Sequence, residues 1–166
     1  MSQRPFKPKN VRDAHKLSEH ELRSWRQLLP PFSEQMLEKG KDPGFGYGDL
    51  LAFGIFAVLI KRIGLKPETL KPMSKFIVDH CNQTLWEQLG QEQLYLEVNL
   101  ETGISQNPRF ISQVDNYANQ DLLCAHMVVP LQVLLMHVTG YLEQQGFQPA
   151  RQQLNLRYPP SVVTSQ

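Results

Sequence analysis

The sequence predicts an α+β protein with a helical amino-terminal part, a small antiparallel strand region and an amphipathic carboxy-terminal helix. Three patterns carry that expectation. Ser18-Glu19-His20-Glu21 is a capping box followed by apolar residues at helical spacing. After Gly90 the pattern changes to alternation, with Leu94, Leu96 and Val98 on one face and Glu97 and Asn99 on the other. Leu131, Leu134, Leu135, Val138 and Leu142 then return to the spacing of a single helical packing face.

Residues 1–10 read as a flexible basic arm, because Pro5 and Pro8 oppose regular structure and Phe6 stands alone without an apolar repeat. Residues 10–17 leave room for about two helical turns. A helix starts at Ser18, buries Leu22, Trp25 and Leu29, and ends at Pro30-Pro31, which cannot donate backbone hydrogen bonds. From Pro31 to Gly48 the glycines and Pro43 predict an exposed loop or short hairpin carrying Lys39 and Lys41. A second helix begins with Asp49 as its cap, runs through the apolar stretch to Ile63 and closes at Gly64. So apolar a helix must be buried on most sides. Pro67 opens a third helix reaching about Cys81, which Pro72 forces either to start later or to kink.

Residues 94–99 form the first predicted strand and Glu101-Thr102-Gly103 its turn. Residues 109–114 pair as a second strand, and Leu122 to Val129 reads as a buried third. Pro130 starts the last helix, which stops at Gly146 and leaves residues 147–166 as a disordered tail.

At 166 residues the chain fits a single domain, or two very small ones that share a core. Its longest apolar run, Leu50 to Ile60, is interrupted by Gly54 and followed by Lys61 and Arg62, short of the about 20 residues a membrane span needs. With no apolar signal stretch at the start, the expected location is cytoplasmic, with no membrane partner. Cys81 and Cys124 lie outside any CxxC pattern and suit reduced thiols. The net charge of +1 hides a division: residues 1–75 hold 14 of the 17 Lys and Arg but 8 of the 16 Asp and Glu. A basic first half and an acidic second half suggest that the first faces a polyanion.

Leu22-Arg23-Ser24-Trp25, Leu28-Leu29-Pro30-Pro31, Tyr47-Gly48-Asp49-Leu50-Leu51 and Ile63-Gly64-Leu65 together make the stretch from about residue 17 to 80 resemble the MerR-like winged helix-turn-helix family. The resemblance implies a winged-helix-like DNA-binding domain over residues 11–83, acting as a homodimer. The helix from Ser18 would enter the major groove, with the Lys39 to Gly46 loop as the wing. Its implied contacts to double-stranded DNA are Lys16, Ser18, His20, Arg23 and Arg26, joined by Lys39 and Lys41. Residues 84–146 become an acidic strand-and-helix region that dimerises or senses.

Catalysis is the weakest class. No HExxH, GxSxG, GxGxxG or phosphate-binding loop occurs. His80-Cys81 and Cys124-x-His126 would supply soft ligands only if the fold joined them. Neither enzyme activity nor a metal or cofactor is therefore expected. The expected function is a DNA-binding transcription regulator; the alternative is a non-catalytic adaptor that keeps the fold and binds a protein through its acidic half.

Overall fold

Proline at a helix start and an aromatic residue beside it decide how the chain begins. In the structure, a computed structural model that describes residues 4–35, 42–102, 105–112 and 124–147, helix α1 (Pro8–His15) has Pro8 at its first position. The missing proline N–H costs nothing there, because the first helical amides have no partner inside the helix. Just before it, Phe6 is buried and exchanges two backbone hydrogen bonds with Phe45, Phe6 N to Phe45 O at 3.1 Å and Phe45 N to Phe6 O at 2.8 Å. The expected flexible arm is thus ordered from Arg4 onward, with burial of the Phe6 ring as its driving force.

The chain divides into two compact units, Met1–Asn82 and Gln83–Gln166. In the first, α1 packs on α2 (Glu19–Leu28) and α3 (Tyr47–Ala57), and a 3₁₀ turn at Phe32–Glu34 packs on α2. The capping box forms as predicted: the Glu21 amide donates to Ser18 Oγ at 3.1 Å and the Ser18 amide to Glu21 Oε2 at 2.7 Å. Phe53 is the aromatic hub, with ring centroids 4.8 Å from Phe32 and 5.5 Å from Phe45. Each such pair adds roughly 1 kcal/mol beyond its buried area.

Helix α3 is buried over every residue from Tyr47 to Phe56, as its composition requires, and continues as a π-helical turn, Val58–Arg62. Asp49 is not its cap. Gly46 holds that position, and Asp49, at the third helical residue, accepts the Gly46 amide at 2.8 Å from inside the first turn. The same buried carboxylate accepts from Arg4 Nη2 at 3.1 Å and Asn82 Nδ2 at 2.9 Å, so it joins the start of the chain, α3 and the end of α4 (Pro67–Gln83). Two glycines make this possible. A Cβ on Gly48 would lie 2.6 Å from the Asn82 Cα, and Gly44, at φ +70°, would place one 2.9 Å from the carbonyl oxygens of Arg4 and Phe6.

Helix α4 runs unbroken from Pro67 through Pro72, where a later start or a kink was expected. Glu68 and Pro72 are both exposed, so the hydrogen bond that Pro72 removes lies on the solvent side of the helix. Ser74, buried on the opposite side, donates to the Pro30 carbonyl at 2.7 Å. Cys81 is buried and forms no disulfide with a described residue.

The second unit contains a short α5 (Trp86–Leu89), three strands and α6 (Leu131–Gln144). The strands β1 (Gln93–Asn99), β2 (Ser105–Ile111) and β3 (Cys124–Pro130) form an antiparallel sheet in the order β2-β1-β3. Asn99 Oδ1 accepts the amides of Glu101 and Thr102 at 2.9 and 3.0 Å, starting the turn out of β1. Strand β2 begins four residues before its predicted start. It lies on the sheet edge, where Pro108 removes no interior hydrogen bond and polar residues need not alternate. Tyr95 is buried on the Glu97 face, with the Arg109 guanidinium 5.0 Å from its ring centroid and its hydroxyl bonded to His126 Nδ1. Residues 122–123 and the expected tail from residue 148 onward lie outside the described residues. Among the described residues no helix is long and apolar enough to cross a membrane.

Candidate nucleic-acid interface

A helix that reads DNA needs one face buried in its own domain and an opposite face of long, exposed donors. Helix α2 has that division. Leu22 and Trp25 are buried, whereas His20, Arg23 and Gln27 are exposed. The approach from α1 is a three-residue turn, Lys16-Leu17-Ser18. Lys16 adopts left-handed geometry at φ 53° and projects to solvent, and Leu17 is buried. The turn is pinned from outside, because Lys61 Nζ donates to the Lys16 carbonyl at 2.9 Å and pairs with Glu21 at 3.2 Å. It is pinned from inside by buried His15, whose Nε2–H donates to the Leu50 carbonyl at 2.6 Å.

The expected contact residues are disposed unequally. Lys16, His20 and Arg23 are exposed, on the turn and the outer face of α2. Ser18 spends its hydroxyl and amide on the capping box, and the Glu21 carboxylate occupies the helix start that a phosphate would need. Acceptance of the Ser18 amide, assisted by Lys61, holds the Glu21 carboxyl below its ordinary pKa. Arg26 does not stand free as expected. Its guanidinium donates to both oxygens of Asp42, at 2.8 and 3.2 Å, lies 4.9 Å from the Phe45 ring centroid, and leaves the side chain 15% exposed. That pairing holds the Asp42 carboxyl below its ordinary range. Lys39 and Lys41 fall outside the described residues.

No protein-family model, curated protein or solved structure matches the chain.

Acidic residues in this unit are largely matched by cations: Glu19 by Arg12 at 3.9 Å, Glu21 by Lys61, Glu34 by Lys75 at 3.6 Å and Asp42 by Arg26. Such pairs lower the local repulsion of phosphate but also engage the cations that would attract it. Arg23 is the long donor on α2 with no ion pair or hydrogen bond to the described residues. Two further residues border this face without being among the expected contacts. Gln27, four residues after Arg23, shares its stripe and is recoverable from helical period. Arg12 lies on α1 and lines a groove with Glu19, Leu22, Arg23, Arg26 and Gln27 of α2, a proximity that no local pattern encodes. Among the described residues no three His, Cys, Asp or Glu side chains are placed to hold a metal ion.

Proposed function

We propose that the chain is a cytoplasmic, DNA-binding transcription regulator of the MerR-like winged-helix type that acts as a homodimer. The observation that supports this most directly is Arg23. It is exposed and unengaged at the centre of α2, the second helix of the amino-terminal unit, between His20 and Gln27, on a helix whose opposite face is buried. In this reading α2 lies in the major groove, Arg23 donates to a base edge, and Lys16 with the loop lysines Lys39 and Lys41 reaches phosphates. Dimerisation supplies two such helices for half-sites about one helical turn apart. The exposed Val133 and Met136 on α6, 67% and 56% accessible, are consistent with an apolar self-association face.

Mobility shift over a pool of random duplexes, at low and moderate salt, tests the reading. Salt-sensitive binding that Arg23→Ala abolishes or strongly weakens is expected. Equal, negligible binding by wild type and variant rejects it. The engagement of Arg26 by Asp42 favours the second reading, an adaptor with this fold that binds a protein partner through its acidic half. That reading gains if the chain is inert to DNA yet folded.

A further inference from the structure

Burying a guanidinium nitrogen without a hydrogen-bond acceptor is costly, and such a donor marks a place where an acceptor belongs. Arg12 Nε is in that position: it is buried and has no partner among the described residues. The charge partner of Arg12 is Glu19, reached by Nη1 at 3.9 Å, too far for a hydrogen bond, and the Glu19 side chain is 86% exposed. A carboxylate so placed costs little to displace.

Arg12 does not act from an isolated spot. It shares its groove with Arg23 and Arg26, the first exposed and the second fixed by Asp42, while Leu22 supplies an apolar wall and Gln27 a further amide. Three guanidinium groups from two helices thus border one concave strip, with Glu19 as its acidic member. We infer that this groove between α1 and α2 seats a phosphodiester of double-stranded DNA, with Arg12 as the residue that grips it and Glu19 as the group it displaces. The inference rests on the DNA-binding reading above and adds to it a contact from the first helix. A planar guanidinium donates to two oxygens of one phosphate at once, a geometry that fixes orientation as well as charge. The seat fixes the register of α2 on the duplex, because phosphate contacts position a reading helix without themselves selecting sequence.

The test is duplex affinity over a salt series for wild type, Arg12→Gln, Arg12→Lys and Glu19→Gln, each first checked by circular dichroism and thermal melting. Loss of one phosphate contact lowers the slope of log affinity against log salt by about one, and lowers affinity on the order of tenfold near 0.1 M salt. Arg12→Gln is expected to show both, equally on every duplex sequence, while Arg12→Lys keeps the slope. Glu19→Gln, at an exposed position where folding is not at risk, is expected to tighten binding a few-fold. If wild type binds duplex and Arg12→Gln and Glu19→Gln leave affinity and slope unchanged, the phosphate seat is overturned and the DNA-binding reading survives. If wild type binds no duplex at any salt, both are overturned.

Discussion

Arg26 and Asp42, sixteen residues apart, are joined by two hydrogen bonds of 2.8 and 3.2 Å, with the Arg26 guanidinium stacked over Phe45. A residue that sequence position would assign to DNA is by this contact part of the scaffold that holds α2 against the Phe6–Phe45 bridge.

Arg26 and Arg23 should therefore separate in experiment. Arg26→Ala is expected to lower stability by about 1 to 2 kcal/mol, through loss of the pair and of the side-chain packing. Arg23→Ala should leave the melting temperature within a degree or so of wild type and weaken duplex binding by about 1 to 3 kcal/mol. Urea melts and mobility shifts on the same preparations compare the two. Equal effects of both variants in both assays would contradict this division.

The acid side of the stability profile follows from Glu21 and Asp42. Both carboxyls are held below their ordinary values, 4.5 and 3.8, the first by the Ser18 amide and the second by Arg26. Their unfolded forms bind protons more readily than their folded forms, so each contributes stability above its unfolded pKa. That contribution disappears as pH falls from the unfolded value through the lower folded one. The stability difference between wild type and Glu21→Gln should be full at neutral pH, begin to shrink near pH 4.5, and vanish in stronger acid. A difference that grows on acidification would be inconsistent with the capping geometry.

Gly48 should tolerate no side chain. A Cβ there meets both Asn82 Oδ1, at 2.5 Å, and Asn82 Cα, at 2.6 Å, and the second contact is backbone that no rotamer can clear. Gly48→Ala is expected to cost about 2 kcal/mol or more. Asn82→Ala placed on top of it should restore only a part, as read by denaturant midpoint. Full rescue would mean that the side-chain oxygen alone sets the limit.

In the second unit, Tyr95→Phe removes the hydroxyl bonded to His126 while keeping the ring beneath Arg109. A loss of about 1 kcal/mol is expected, with Tyr95→Leu costing more because the cation–ring contact goes as well. Thermal melting of the two variants orders these contributions.

What could be read from the sequence was local. The capping box at Ser18, the buried face of α2, the apolar α3 and the α6 stripe all follow from residues within a few positions of one another, and all are present. Strand β1 is equally plain from the alternation of Leu94, Leu96 and Val98, whereas the burial of Tyr95 on the other face depends on Arg109 and His126 of the neighbouring strands. Pro8 is ambiguous in sequence because its ring forbids the middle of a helix yet suits the first position, and Phe6 just before it is anchored by Phe45 from beyond the next two helices. Asp49 looked like a cap, but its other partners are Arg4 and Asn82, far along the chain in either direction. On the candidate interface the same rule applies: Arg23 was legible from helical period, while the capture of Arg26 and the nearness of Arg12 are tertiary facts.

The Asp49 carboxylate also sets an order of events. Its donors come from residue 4 and residue 82, separated from it by 45 and 33 positions, so both closures join distant parts of the chain. Until Asn82 arrives, the buried carboxylate lacks one of its donors and Gly48 lacks its nearest neighbour. During synthesis the buried polar cluster of the amino-terminal unit can therefore be completed only once the last turn of α4 has been made.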